Sequence, residues 1–295
     1  MTPLITVFTP TFNRIETLRR TYTSLQRQTS FNFKWLIVDD GSSDNTKSVV
    51  EGWIRQERKF AIEYLYKENG GMHTAHNLAY RSIDTTLNVC VDSDDMLEEH
   101  AIEVITSVWN EIKDVNCAGI IGLDADFNHN ILGKPFDNER QLISLQQYYK
   151  SGGQGDKKLV YKTEIIKEFC EYPEFPEERL VPLGYKYEMV DRKYPLFAIN
   201  EVLCLVEYQA DGSTRNIKRQ YKKSPKGFNV YRIERMKYPT GIKDLIKNTI
   251  HYISGCIYIG DKKIIRKSPR KIVTALLLPV GVVFHILLDK SIKSM

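Results

Sequence analysis

Three aspartates crowd the end of one apolar segment of the chain. Asp92, Asp94 and Asp95 follow residues 87–91, in which apolar side chains recur at every second position. That period predicts a short buried strand that ends at the carboxylates. Crowded carboxylates raise one another's pKa, and a bound divalent cation reverses that cost. Because Mg²⁺ and Mn²⁺ prefer oxygen ligands and share them with phosphates, this spacing indicates a metal and phosphate site.

A second acidic strand end lies earlier in the chain. The apolar residues 35–38 lead into Asp39 and Asp40, which Gly41 follows. A single acidic triplet is more often a turn or a helix cap than a site. In open α/β sheets, however, ligands collect at the carboxyl ends of strands, so two acidic strand ends in one chain favour a binding site.

Patterns typical of strands and helices alternate through the first 125 residues. Strands are predicted at 4–8, 33–38, 61–66, 87–91 and 118–123. Asn13 and Glu16 have the spacing of a capping box at the start of the first helix. Gly70 and Gly71 lead into a later helix, and backbone amides at such a turn can bind an anion. The alternation predicts βαβ units and a parallel sheet.

Charge is divided unevenly along the chain. The net charge is +5, but residues 215–295 carry a balance of +15 and residues 1–214 a balance of −10. The basic segment 264–271 precedes an apolar run, 272–288, that is shorter than the ~20 residues of a spanning helix. The alternatives for this run are a buried C-terminal helix and a segment lying in a membrane interface. We favour the interface, because cations flank the run and it fits lipid better than nucleic acid.

Cysteine usage and the N-terminal residues indicate the cellular compartment of the protein. The five cysteines are scattered, without a C-x-x-C pair, which favours free thiols in a reducing environment. The chain enters its first predicted strand at once, so no signal peptide is predicted.

Four stretches together resemble family 2 of the glycosyltransferases, which have the GT-A fold. They are 9–14, 38–46, 69–71 with Asn77, and 92–95, in the family's order and spacing. The resemblance implies an α/β fold with a Rossmann-like, mostly parallel sheet flanked by helices and a basic, apolar helical extension. It implies three segments: a nucleotide-sugar-binding half at 1–125, an acceptor-binding half at 126–214 and a membrane-associating tail at 215–295.

The resemblance also implies where a UDP-sugar donor binds. Thr9, Pro10 and Thr11 would line the nucleoside pocket, and either Asp39 or Asp40 would accept a hydrogen bond from the uracil ring. Asn69 would also face the base. The other residues that the matching stretches imply at the donor site are Asn13, Arg14, Gly70, Gly71, His76, Asn77 and Ser93.

The acidic triplet would have divided roles. Asp92 would lie near the ribose and the metal, and Asp94 would be the main ligand of Mn²⁺ or Mg²⁺, which would bind the diphosphate. Asp95 would orient Asp94 or contact the donor sugar. Two departures concern the diphosphate: family members often carry Lys where Met72 stands and Arg where His76 stands. A phosphate-side cation is therefore missing, or is replaced by His73 or His76.

Inverting transfer of a hexosyl or N-acetylhexosaminyl group also needs a base beside the acceptor hydroxyl. The segment 178–183 resembles the place where the family carries it, so Glu178 is the predicted base and Glu177 its rival. Leu183 replaces a second acid of the family. Either glutamate could instead be a carboxylate that a helix dipole favours at a helix start.

The basic and apolar tail indicates the acceptor and the location. We expect a lipid-linked saccharide acceptor in the assembly of a bacterial surface polysaccharide such as a capsule, and peripheral attachment to the cytoplasmic face of the inner membrane. Nucleic acid is not an expected partner, and a homo-oligomer is left open.

Two other functions were weighed against a transferase. A sugar-phosphate nucleotidyltransferase would need a Gly-rich basic loop after the first strand, which residues 9–13 lack. A degenerate transferase kept as a membrane partner subunit is supported by Met72 and opposed by the intact acidic triplet.

Overall fold

The computed structural model describes residues 2–207 and 216–294, and their contacts form two compact units. The first unit contains Met1–Glu171 and Lys186–Glu207, and the second contains Tyr172–Tyr185 and Tyr208–Met295. The first unit thus takes in most of the two predicted half-domains, while 172–185 groups with the tail. The roles predicted for the three segments stay predictions, and residues 208–215, where the basic tail was expected to begin, lie outside the described residues.

Strands and helices alternate in the first unit as far as its fourth strand, which the short fifth strand follows directly. The boundary between the units falls within the seventh helix, after Tyr185. In chain order, the elements up to the last strand are β1 (Ile5–Thr11), α1 (Ile15–Gln26), β2 (Phe33–Asp39), α2 (Thr46–Gln56), β3 (Ala61–Tyr66), α3 (Met72–Ser82), β4 (Leu87–Cys90), β5 (Met96–Leu97), α4 (Ala101–Ile112), β6 (Gly119–Ala125), β7 (Gln141–Ile143), α5 (Leu145–Lys150), β8 (Lys157–Lys162), α6 (Thr163–Lys167), α7 (Gly184–Asp191) and β9 (Leu196–Leu205).

One sheet contains all nine strands, in the order β3-β2-β1-β4-β8-β6-β9-β5, with β7 paired to β9. The strands β3, β2, β1 and β4 run parallel to one another, as the alternating pattern predicted. Strand β8 runs antiparallel to both β4 and β6, so the second part of the sheet is mixed. The longest ladder, between β1 and β2, is parallel.

The central strands are buried on both faces because helices cover the sheet. Every residue of β1 and β2 is buried, which is typical of parallel strands in α/β proteins. On one face, Tyr22 of α1 stacks against both Trp35 of β2 and Trp53 of α2, with ring centroids 5.8 and 4.4 Å away. The carboxyl ends of β1, β2 and β4 lie side by side at one edge, where Thr11 pairs in register with Asp39.

The second unit is helical beyond residue 216. A small apolar core is formed by Met236, Tyr252, Ile253 and Cys256. Its helices are α8 (Ile217–Lys223), α9 (Pro225–Lys237), α10 (Ile242–Ile259), α11 (Ile264–Lys267) and α12 (Lys271–Lys293).

Helix α12 is longer than the apolar run that the sequence outlined. It has 23 residues and a mean hydropathy of 2.2, and 17% of its apolar window is buried. Among the described residues, it is the one helix whose length and composition would suffice to cross a membrane. The expectation that this segment is too short to span is therefore wrong, because the helix continues to Lys293 beyond the run.

Candidate active site

The acidic triplet forms a tight turn directly after β4. The amide of Asp95 donates a hydrogen bond to the carbonyl of Asp92 at 3.0 Å, which closes the turn around the buried Ser93. The Asp94 side chain is 17% exposed and forms an ion pair with Arg14, the residue before α1. The structure therefore brings Asp92, Asp94 and Arg14 together at the carboxyl edge of the parallel strands.

A buried charge cluster adjoins this turn. The Nζ of Lys158, on β8, lies 3.8 Å from Oδ2 of Asp95 and donates to the carbonyl of Cys90 at 3.4 Å. Asp124, at the end of β6, interacts with the charge of the same lysine. Burial raises the pKa of Asp95 to about 8 and that of Asp124 to about 6. Burial lowers the pKa of Lys158, but Cys204 and the neighbouring carboxyl groups more than reverse this, so the lysine stays charged.

The sequence prediction missed two members of this cluster. Asp124 follows the apolar residues 118–123 and is thus a third acidic strand end, a signal that could have identified it. Lys158 had no such signal, because only the pairing of β8 with β4 and β6 places it among the carboxylates. Asp95 faces Lys158 and its amide closes the turn, so its position agrees with orienting the turn.

The residues at this edge fit a divalent cation that a substrate helps to hold. No three His, Cys, Asp or Glu side chains within residues 2–207 and 216–294 converge as a complete metal site. Mg²⁺ sites in phosphate-transferring enzymes commonly use one or two carboxylates together with the substrate phosphates. Asp92 and Asp94 supply such a partial set. In addition, the Oδ1 atom of Asp124 is buried and has no hydrogen-bond partner in the described part of the chain. Part of the carboxylate charge at this edge therefore lacks a hydrogen-bond donor.

The polar groups at the neighbouring strand ends differ in how many hydrogen bonds they already form within the protein. The hydroxyl of Thr9 accepts a hydrogen bond from the indole N–H of Trp35 at 2.9 Å. The buried hydroxyl of Thr11, one residue beyond Pro10, has no partner among the described residues. Its register partner Asp39 accepts one hydrogen bond on each oxygen, from the amide of Ser42 and the hydroxyl of Tyr64. Because a carboxylate oxygen has two lone pairs, Asp39 can still accept from a ligand.

Asp40 is bound to the Gly-rich loop instead. It is 4% exposed and accepts hydrogen bonds from the amides of Gly70 and Gly71 at 2.9 and 2.7 Å. Lys67 adds an ion pair at 2.7 Å. The prediction that these glycine amides bind an external anion is therefore corrected, because the anion that they bind is the Asp40 carboxylate. Of the two aspartates predicted to bind the uracil ring, the geometry supports Asp39.

Asparagine side chains join the loops that follow β1, β2 and β3 at this edge. Asn13 has a left-handed φ of 52°, and its side-chain oxygen accepts from the amide of Ser43 at 2.8 Å. The predicted capping box is therefore wrong, since this side chain bonds another loop. Asn69 donates to the carbonyl of Asp40 at 2.9 Å. A Cβ at Gly41, where φ is 90°, would lie 2.7 Å from the amide of Asn69, so this close approach requires glycine.

The predicted phosphate contact of His76 is not supported by its position. His76 lies inside α3 with 0% exposure, and its ring packs edge-on to that of Phe8 at a centroid distance of 5.0 Å. Burial lowers the pKa of His76 to about 3, so the ring is neutral at pH 7. His73 and Asn77 are buried in the same helix, each 1% exposed. The cations that the structure puts beside the acidic turn are Arg14 and the buried Lys158.

The two glutamates predicted as catalytic bases belong to the second unit and differ sharply. Glu178 is 5% exposed, and its two oxygens accept from the amides of Lys226 and Gly227 at 2.9 and 2.8 Å, at the start of α9. This is the helix-start arrangement that the sequence left open. The Glu177 side chain is 84% exposed, and its nearest cation, Lys226, lies at 3.6 Å.

Two solved structures share this architecture. Residues 1–349 of S. aureus TarS, in complex with UDP-GlcNAc, align with 98% of this chain and over 91% of their own length, with a TM-score of 0.58 and 15% identity. The mannosyltransferase PcManGT from Pyrobaculum calidifontis, solved with GDP-Man and Mn²⁺, aligns with 97% and 81%, also at 0.58 and 15%. At such identities the likeness shows the fold, which is GT-A, as the resemblance implied.

Curated relatives match part of the chain. The glycosyltransferase GlyG of Streptococcus pneumoniae is 27% identical over 151 residues, which is 48% of each protein. The chondroitin synthase of Pasteurella multocida is 30% identical over 115 residues, 39% of this chain and 12% of the synthase. The chain thus spans about half or less of the relatives that it matches.

A family profile covers the strands that carry the acidic turn and its neighbours. The profile described as Glycosyl transferase family 2 matches residues 6–169, more than half of the chain. These residues include the carboxyl ends of β1, β2 and β4, the Gly-rich loop and Lys158. With the GT-A fold around them, the chain belongs to glycosyltransferase family 2.

Proposed function

We propose that the enzyme transfers a hexosyl or N-acetylhexosaminyl group from a UDP-sugar to a saccharide hydroxyl, with inversion at the anomeric carbon. The observation that carries this proposal is the alignment of Thr11, Asp39 and the turn at 92–95 on adjacent parallel strand ends. Ligands of open α/β sheets bind at such an edge. The free hydroxyl of Thr11 and the spare acceptor capacity of Asp39 suit a nucleobase and its sugar.

The acidic turn would receive the diphosphate. Asp94, with Asp92, would hold Mn²⁺ or Mg²⁺, which when bound supplies a Lewis acid for the charge on the leaving diphosphate. Arg14 pairs with Asp94 and lies within reach of the same charge. Lys158 keeps the turn in place through Asp95 and the carbonyl of Cys90.

A carboxylate would complete the reaction by accepting the acceptor's proton. The acceptor oxygen attacks the anomeric carbon, the bond to the diphosphate breaks, and UDP leaves with that electron pair while the hydroxyl proton passes to the carboxylate. Of the pair predicted from sequence, Glu177 is the better base. Glu178 is 5% exposed and is held at the start of α9 by two backbone hydrogen bonds, whereas the Glu177 side chain is 84% exposed.

Thermal unfolding with nucleotide sugars tests the donor. A ligand that binds only the folded state stabilises it, by about 2.7 kcal/mol at a ligand concentration of 100 times Kd. Saturating UDP-sugar with Mn²⁺ is therefore expected to raise Tm by several degrees. Matched GDP-sugars with Mn²⁺ are the control and should give a smaller shift. No shift with any UDP-sugar, or pyrophosphate release from a nucleoside triphosphate, would contradict the proposal.

Two neighbouring substitutions test the base. Glu177→Gln is expected to lower kcat about 10²–10⁴-fold without changing UDP binding, because a general base contributes on that scale. Glu178→Gln should instead lower Tm, since it weakens the two bonds to the start of α9. Kinetics and thermal unfolding of both variants decide between them. A folded Glu178→Gln protein that has lost activity, beside an active Glu177→Gln protein, reverses the assignment.

We also propose a lipid-linked saccharide acceptor and attachment to the cytoplasmic face of the inner membrane, in the assembly of a surface polysaccharide such as a capsule. The support is the basic C-terminal segment and the apolar helix α12. Relatives named for polysaccharide synthesis, such as the chondroitin synthase, support the polysaccharide part of this proposal.

A further inference from the structure

One side of α12 is packed along its whole length within the second unit. Thr274, Gly281 and Leu288 are buried and recur at every seventh residue. A Cβ at Gly281 would lie 2.7 Å from the Cβ of Ile253, so glycine allows α12 to approach α10 closely. His285 and Ser254 add a hydrogen bond of 3.2 Å between the same helices. The helix is therefore joined to α10 by a continuous seam.

Helix α10 is itself unsuited to a bilayer interior. Near its start, Asp244 forms an ion pair with Arg235 at 2.9 Å, and Asn248 accepts a hydrogen bond from Arg232 at 2.8 Å. Charged side chains in a hydrocarbon interior are costly, so α10 does not span. If α12 spanned the membrane, the seam with α10 would have to open and expose buried Leu288 and Ile253.

The opposite side of α12 is apolar and exposed. Ile272, Leu276, Val283 and Leu287 are 79%, 75%, 56% and 60% exposed, and they succeed one another at helical spacing. Large apolar patches of this kind mark interaction sites rather than ordinary surface. A helix with one packed side and one exposed apolar side is the geometry of a segment that lies in the plane of a membrane interface.

A groove continues this apolar surface onto α10. Its volume is about 380 Å³, and its lining is formed by Ile246, Ile250, His251 and Phe284 with the stems of Lys243 and Lys247. Both lysines are exposed and have no ion pair among the described residues. An apolar groove that carries two unneutralised ammonium groups matches a molecule with a hydrocarbon chain and an anionic head.

Further cations flank the ends of the exposed stripe. Arg266, Arg270 and Lys271 precede it, and Lys290 and Lys293 follow it, all of them exposed. Cations near an anionic lipid surface contribute about 1 kcal/mol each, which gives this surface charge complementarity to acidic phospholipid.

We propose that the exposed side of α12 and the groove beside α10 form an in-plane membrane-binding surface, in which the groove takes an acyl chain of an anionic phospholipid and Lys243 and Lys247 hold its phosphate. The proposal rests on the proposed membrane location and specifies its mode: attachment to one leaflet, selective for anionic lipid, without a membrane-spanning helix.

Vesicle co-sedimentation of the full chain tests the lipid selection. Binding to phosphatidylcholine vesicles containing phosphatidylglycerol is expected, with much weaker binding to phosphatidylcholine alone. Lys243→Gln with Lys247→Gln should lower the partition coefficient about 30-fold, because two contributions of about 1 kcal/mol are lost. The matched control, Lys113→Gln with Lys150→Gln, removes two exposed lysines of the first unit and should bind like the unmodified protein.

The apolar stripe is tested in the same assay. Leu276→Asn should lower partitioning about tenfold, since burying a leucine side chain contributes about 1.5–3 kcal/mol. Its high exposure keeps the fold intact, which thermal unfolding checks. Equal binding to neutral vesicles, or equal loss in the control pair, overturns the lipid assignment. Self-association without vesicles that the lysine or Leu276 variants abolish would overturn it too, by showing that a second copy covers the surface.

Labelling from outside the vesicle distinguishes in-plane binding from spanning. In a Cys170→Ser background, which removes the exposed native thiol, Lys293→Cys and Lys271→Cys should both react fully with a membrane-impermeant maleimide. Protection of either end by intact vesicles overturns in-plane binding. Donor hydrolysis measured on the same proteins without vesicles reads the proposed transferase activity separately, so a failure of either proposal is recognised on its own.

Discussion

Asp94→Ala is expected to abolish metal-dependent sugar transfer while leaving the fold intact. The proposed role of Asp94 as the main ligand of Mn²⁺ or Mg²⁺ gives it a contribution of several kcal/mol to the transition state, so kcat/KM should fall by about 10³-fold or more. The structural cost is small, because the side chain is partly exposed and its ion pair with Arg14 lies near the surface. Tm should change by no more than a few degrees.

Steady-state kinetics with an Mn²⁺ titration measure the effect on activity. A second measurement, Mn²⁺ binding followed by electron paramagnetic resonance in the presence of UDP, should show weaker binding in the variant. Asp114→Ala, which removes an exposed carboxylate of the same unit, is the control and should match the unmodified enzyme. Full activity of Asp94→Ala, or unchanged Mn²⁺ affinity, would remove this residue from the metal site.

Asp40→Ala is expected to be the most destabilising single change at the site. The carboxylate is buried and accepts from Gly70, Gly71 and Lys67. Its removal leaves two amides and an ammonium group without their acceptor, and breaking a buried charge pair costs about 3–5 kcal/mol. For a unit of this size we expect Tm to fall by about 10 °C, and UDP binding to weaken as the loop at 69–71 loses its support.

Chemical and thermal unfolding of a graded series would measure this effect. Lys67→Met removes the ion pair but keeps both amide hydrogen bonds, so it should cost less than Asp40→Ala. Asp40→Asn keeps one acceptor oxygen and should lie between the unmodified protein and Asp40→Ala. An Asp40→Ala protein as stable as the unmodified one would show that the loop does not depend on this carboxylate.

Several features of the site could be predicted because their signals are local. The apolar period before Asp92 and Asp39 predicted strands, and carboxyl ends of parallel strands share an edge of the sheet. The same reasoning, applied to the strand that ends at Asp124, would have added a further buried carboxylate. The alternation of strands and helices likewise predicted the parallel part of the sheet.

Other predictions failed because burial and pairing depend on distant residues. His76 follows a glycine loop and looked available to phosphate, yet its helix turns it against Phe8, far away in sequence. Gly70 and Gly71 looked like an anion site, and the anion proved to be Asp40, about 30 residues earlier. Asn13 had a capping-box partner nearby and instead bonds Ser43.

The sequence by itself determined that strand ends rich in carboxylates meet at one edge of an α/β sheet, because strand periodicity is written in neighbouring residues. Only the tertiary structure decided which of those groups remain available to a ligand. Asp39 keeps acceptor capacity on both oxygens, whereas Asp40 keeps it on one, and Lys158 supplies a buried charge from a strand that enters the sheet antiparallel. The physical reason is that solvation, hydrogen-bond saturation and ion pairing are set by contacts between segments far apart in the chain.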